Sequence, residues 1–127
     1  MRFYIVEDDS ALLDTLLDCL GGAGHQVVAA RNLEELEAEL QRESPDFVIF
    51  EPLLDDGSGG KIEIILLERS LPFGIHTKWL PDVGNFIQTK ALFAVQKPTL
   101  LIGPNSLEAL ILEHLAQPIL RNDRRAA

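Results

Sequence analysis

Phe47-Val48-Ile49-Phe50-Glu51-Pro52-Leu53-Leu54-Asp55-Asp56-Gly57-Ser58-Gly59 is the stretch on which the fold turns. Its first four residues form an apolar run without polar alternation. Such a run suits a strand covered on both faces, the situation of a parallel sheet with helices on either side. Glu51 breaks the run with a charge, and residues 55–60, rich in Asp, Gly and Ser, read as a loop. A helix over 62–69 follows. Upstream, Pro45 stops a helix that carries Leu33, Leu36 and Leu40, and Asn32-Leu33-Glu34-Glu35 opens it in capping-box form.

Further towards the start, residues 3–6 are a short apolar run ending at Glu7-Asp8-Asp9. Leu12, Leu13, Leu16, Leu17 and Leu20 then recur at helical spacing. Asp9 or Ser10 caps that helix, and Gly21, Gly22 and Gly24 end it. Residues 27–29 give a second strand. The order β-α-β-α-β-α predicts a parallel sheet with helices on both sides.

The second half is less regular. Residues 73–77 read as a fourth strand, weakened by Gly74, and 91–95 as a fifth. Pro81, Gly84 and Asn85 make any helix between Leu80 and Thr89 short or irregular. Residues 99–103 are apolar enough to be a strand, which leaves an alternative register open. The last helix spans 106–115, capped by Asn105 or Ser106, with Leu107, Leu110, Ile111 and Leu115 facing inward. The fold class is therefore α/β, a doubly wound five-stranded parallel sheet in a three-layer sandwich.

The chain has 127 residues, enough for one core. Residues 1–120 are assigned to it and 121–127 to a tail or the start of a linker. Twenty acidic against eleven basic residues give a net charge of -9, which repels nucleic-acid phosphates and anionic lipid. Direct nucleic-acid binding by this domain is not expected, and Arg121, Arg124 and Arg125 read as a solvated end. No stretch approaches the ~18 apolar residues of a membrane span, and the start lacks the form of a signal peptide. One cysteine, Cys19, excludes a disulfide framework and suits a reducing compartment. A cytoplasmic protein is expected.

In open parallel sheets, sites lie at the carboxyl ends of the strands. Glu7 and Asp8 follow the first strand, Glu51 the third and Lys97 the fifth, so three carboxylates and one ammonium should share a crevice. Clustered carboxylates repel one another unless a cation intervenes, and hard oxygen ligands suit Mg²⁺. Taken alone, Glu7-Asp8-Asp9 reads more simply as charge favouring a helix N-terminus. His25, His76 and His114 lack neighbours at zinc-ligand spacing. Cys19 reads as core, and Trp79 as partly buried or part of a partner contact.

At these residues the chain resembles the receiver (CheY-like, flavodoxin-like) domain of two-component response regulators. Val6-Glu7-Asp8-Asp9 looks like that family's acidic pair, and residues 47–59 look like its third strand, acceptor and following loop. Gly22-Ala23-Gly24-His25-Gln26-Val27 is similar to its link from first helix to second strand. Val95-Gln96-Lys97-Pro98 is similar to the Lys-Pro closing its fifth strand. The resemblance implies Glu7, Asp8 and the Leu53 backbone carbonyl as ligands of Mg²⁺, if metal is retained. Lys97 would pair with phosphate, and Thr77 would be the hydroxyl residue that senses it.

The family's acceptor is an aspartate, and here Glu51 stands in its place. The additional methylene displaces the attacking oxygen, and ~1 Å of misplacement can cost about a hundredfold in rate. Two readings of Glu51 remain: a constitutive imitation of a phosphorylated aspartate, or an ion pair with Lys97 kept for stability. Asp55 replaces a proline usual in that loop, Ala94 stands where the switch aromatic is usual, and Phe93 beside it reads as core. The expected function is that of an atypical, phosphorylation-independent receiver, not an enzyme. It would act through a protein partner, a homodimer formed by the last strands and helices, or an attached effector, often DNA-binding and transcriptional. The alternative is a Mg²⁺-dependent receiver still phosphorylated by a histidine kinase at Glu51, Asp55 or Asp56.

Overall fold

The computed structural model describes residues 1–80 and 90–116. Five strands form one parallel sheet: β1 (Arg2–Val6), β2 (Gln26–Ala30), β3 (Phe47–Phe50), β4 (Phe73–Thr77) and β5 (Ala94–Gln96), in the order β2-β1-β3-β4-β5. Four helices lie among the described residues: α1 (Ser10–Gly22), α2 (Leu33–Arg42), α3 (Gly59–Glu68) and α4 (Leu107–Leu115). The chain has the doubly wound α/β fold expected from its pattern, in the flavodoxin-like, CheY-like form that the resemblance implies.

Alternation along the strands divides the core into two layers. Phe3, Ile5, Phe47 and Ile49 face one side, where Leu13, Leu16 and Leu20 of α1 and Leu107 and Ile111 of α4 cover them. Tyr4, Val6, Val48 and Phe50 face the other, against Leu36 and Leu40 of α2 and Ile62 and Leu66 of α3. Successive side chains of a strand point to opposite faces, so a continuous apolar run fills both layers at once. Fully burying one such side chain stabilises the fold by roughly 1.5–3 kcal/mol.

Most helix ends are where their side chains put them. Asp9 caps α1 by accepting from the Leu12 N–H, and Asn32 caps α2 by accepting from the Glu35 N–H at 2.9 Å. Glu35 returns a bond to the Arg31 N–H at 3.1 Å, one residue before the capping-box form. Ser106 caps α4, accepting from the Ala109 N–H at 3.1 Å.

Several expectations need correction. Helix α3 begins at Gly59, inside the expected loop, because first-turn N–H groups have no intrahelical partner and glycine costs little there. Strand β5 is shorter and later than expected, although its backbone bonding to β4 begins with Leu92 N–H to Phe73 O at 2.9 Å. Residues 99–103 contain no strand. Leu110 is half-buried rather than core, as is Cys19. Trp79 is 63% exposed, not partly buried. The expected irregular helix at Pro81, Gly84 and Asn85, the tail 121–127 and its arginines fall outside the described residues.

Gly74 weakens strand propensity but has a packing role. A Cβ there would collide with the ring of Phe93, which lies flat over β4 and stacks on Phe47 at 5.6 Å. Phe93 thus sits among core residues, while Ala94 faces outward.

Candidate functional site

Parallel strands end in register at one rim of the sheet. Val6 pairs with Phe50 across β1 and β3, and Thr77 with Gln96 across β4 and β5. The residues that follow these ends, Glu7, Glu51 and Lys97, are therefore delivered to one place. Lys97 Nζ lies 2.5 Å from Glu7 Oε1 and 3.0 Å from Glu51 Oε1. All three side chains are at least nine-tenths buried.

The second oxygen of each glutamate is also engaged. Glu7 Oε2 accepts from the Asp9 N–H at 3.2 Å, and Glu51 Oε2 from the Leu53 N–H at 3.1 Å. Two buried carboxylates against one ammonium leave a net negative charge with little water to screen it. Burial accordingly pushes the Glu7 carboxyl above its ordinary value, with Lys97 pulling the other way.

Asp8 stands apart from this triad and accepts from the Asp55 N–H at 2.7 Å, fastening the loop after β3. Thr77 is fully buried; its Oγ1 accepts from the Trp79 N–H at 3.4 Å, and its carbonyl from the Lys97 N–H at 2.7 Å. Its hydroxyl makes no hydrogen bond to Lys97 or Glu51. Lys78 approaches Asp9 at 4.0 Å across the mouth of a crevice of about 440 Å³, which Asp55, Leu53 and Trp79 also line.

A divalent cation here would need oxygens free to turn towards it. Both oxygens of Glu7 and of Glu51 are committed, and Lys97 already stands between them as a cation. Among the described residues no three His, Cys, Asp or Glu side chains are grouped to hold one ion. As arranged, Glu7 and Glu51 offer no free oxygen to a resident Mg²⁺; an ion binding through either would have to displace Lys97 or a backbone N–H.

Two buried groups were not distinguished by sequence reasoning. His76, on β4, places Nε2 2.8 Å from Thr99 Oγ1, while its Nδ1 has no hydrogen-bond partner. Burial, assisted by Lys97, pushes the imidazole down to about 4. Glu63 occupies the buried face of α3 with an unpartnered Oε2, and burial raises its carboxyl. A histidine inside a five-residue strand was the available signal for the first. Glu63 gave none beyond its position next to Ile62.

A parallel sheet in this order, with helices on both faces, is the fold of CheY-like receiver domains. Solved structures similar to this chain include members of that class. One is a CheY-like response regulator receiver domain protein from Methanospirillum hungatei JF-1, with 26% identity over 91% of this chain and 94% of that one and a TM-score of 0.75. Another is the non-phosphorylated HemR receiver domain from Leptospira biflexa, with 29% identity, the same shares covered and a TM-score of 0.70. A third is a response regulator protein from Burkholderia pseudomallei with a phosphorylated aspartic acid, calcium ion and citrate. It shows 20% identity over 92% of this chain and 75% of that one, with a TM-score of 0.69. No protein-family model matches the sequence, and no curated protein matches it.

Proposed function

We propose that this chain is an atypical receiver domain of a two-component-type response regulator that signals without phosphorylation at Glu51. It acts by binding rather than catalysis, through a protein partner, a second copy or an attached effector such as a transcriptional DNA-binding domain. The observation that carries this reading is the state of Glu51. A phosphoryl acceptor needs an oxygen open to in-line attack. Glu51 is buried, one oxygen is held by Lys97 and the other by a backbone N–H. The longer side chain brings its charge to the lysine without any phosphoryl group. Exposed apolar residues at the same end, Trp79 and Leu100, support a role in protein contact.

The test is intact-mass spectrometry after incubation with acetyl phosphate and Mg²⁺. The expected spectrum contains the unmodified chain alone. An adduct of one phosphoryl group that disappears in Glu51→Gln would overturn the proposal. Asp55 favours a second reading, because it is exposed and lines the same crevice. An adduct lost in Asp55→Asn but kept in Glu51→Gln would establish a displaced acceptor instead.

A further inference from the structure

A second cavity, of about 540 Å³, opens between α1 and the chain that follows β5. Its size falls within the range of small-molecule sites, roughly 300–1,000 Å³. Leu12, Pro98 and Leu101 make its wall mainly apolar. The charges that reach it are already matched. Lys97 is held by Glu7 and Glu51, and Lys78 faces Asp9. No unpaired charge on the wall is left to recruit an ion.

One polar pair in the wall is incompletely satisfied. His76 is 2% exposed, and its ring bonds through Nε2 to Thr99, which also lines the cavity. The imidazole is neutral near pH 7, so one nitrogen donates and the other accepts. If Nε2 carries the hydrogen, the Thr99 hydroxyl hydrogen is free and the Nδ1 lone pair is unmet. If Nδ1 carries it, a buried donor is unmet and the lone pairs of Thr99 Oγ1 remain able to accept. Either tautomer leaves hydrogen-bonding capacity at a mainly apolar wall, and unmet buried polar groups are destabilising.

We infer that this cavity is a binding site for a small uncharged molecule with an apolar ring or chain and a single hydrogen-bonding group. An occupant would lie against Lys97 in a cavity that neither Glu7 nor Glu51 lines. The inference stands whether or not Glu51 accepts phosphate, so failure of the acetyl phosphate experiment would leave it intact.

The test is an amide ¹H–¹⁵N NMR titration of the full chain with p-cresol, toluene and benzoate. Saturable shifts are expected at Leu12, Thr15, His76, Thr99 and Leu101. p-Cresol should bind about tenfold more tightly than toluene, the worth of one hydrogen bond. Benzoate should bind more weakly than p-cresol. The double variant His76→Phe with Thr99→Val, which removes both polar groups, should bring p-cresol and toluene to parity while toluene binding persists. Shifts that do not saturate or that fall elsewhere overturn the inference. So do benzoate binding as tight as that of p-cresol, and a p-cresol preference that survives in the double variant.

Discussion

Lys97 is one cation between two buried carboxylates, and that stoichiometry decides what substitutions do. Taking charges out of water costs several kcal/mol per ion, and a buried pair recovers this only while every partner is present. Lys97→Met would leave Glu7 and Glu51 facing each other without compensation. It should cost about 3–5 kcal/mol in urea denaturation. Glu51→Gln keeps a one-to-one pair between Lys97 and Glu7 and an amide still able to accept from the Leu53 N–H. It should cost clearly less than Lys97→Met. A larger loss than for Lys97→Met would mean that the second carboxylate, not the lysine, organises the site. The same variant separates the two readings of Glu51. Nearly unchanged stability with altered self-association or partner binding fits an imitated phosphoryl state. A substantial stability loss with unchanged binding fits a retained structural pair.

At the scale of elements, legibility followed how completely each segment is surrounded. Strands β1 and β3 are covered on both faces and paired on both edges, so residues 3–6 and 47–50 are unbroken apolar runs and their positions stood out in the sequence. Strand β5 is an edge with alternating exposure, and its pattern blurs into the apolar residues before it. The glutamates and Lys97 were legible because strand ends locate them. His76 was not, because its partner Thr99 lies 23 residues away and neither residue is unusual alone. Gly74 shows how an apparent weakness can be a requirement. Gly74→Ala should push Phe93 off the sheet and cost about 1–3 kcal/mol, the usual penalty for overpacking. Phe93→Ala should be destabilising as well. With the ring gone, the added methyl has room, so Gly74→Ala combined with Phe93→Ala should cost less than the sum of the two by at least ~0.5 kcal/mol. Strict additivity in urea melts would show that the ring does not lie over Gly74.

For the whole molecule, buried titratable groups set opposing dependences on pH. His76 has a folded value of about 4 against an ordinary 6.5, so the native state favours the neutral ring. Its contribution to stability is present above about pH 6.5 and is lost as the pH falls towards 4, on the order of 3 kcal/mol in full. Glu7 and Glu63 act in the other direction. Burial raises both above the ordinary 4.5, so their contribution is present below that value and fades as the pH rises through their folded values. A simple acid melt therefore mixes terms of opposite sign. The difference between the wild type and His76→Phe isolates the imidazole, because Asp9, Lys78 and Lys97 around it remain in both. That difference should shrink by about 2 kcal/mol between pH 7 and pH 5, with the variant gaining relative to the wild type as the solution is acidified. A pH-independent difference would mean that His76 is not held neutral by its surroundings, and that the wall it shares with Thr99 is wetter than its burial implies.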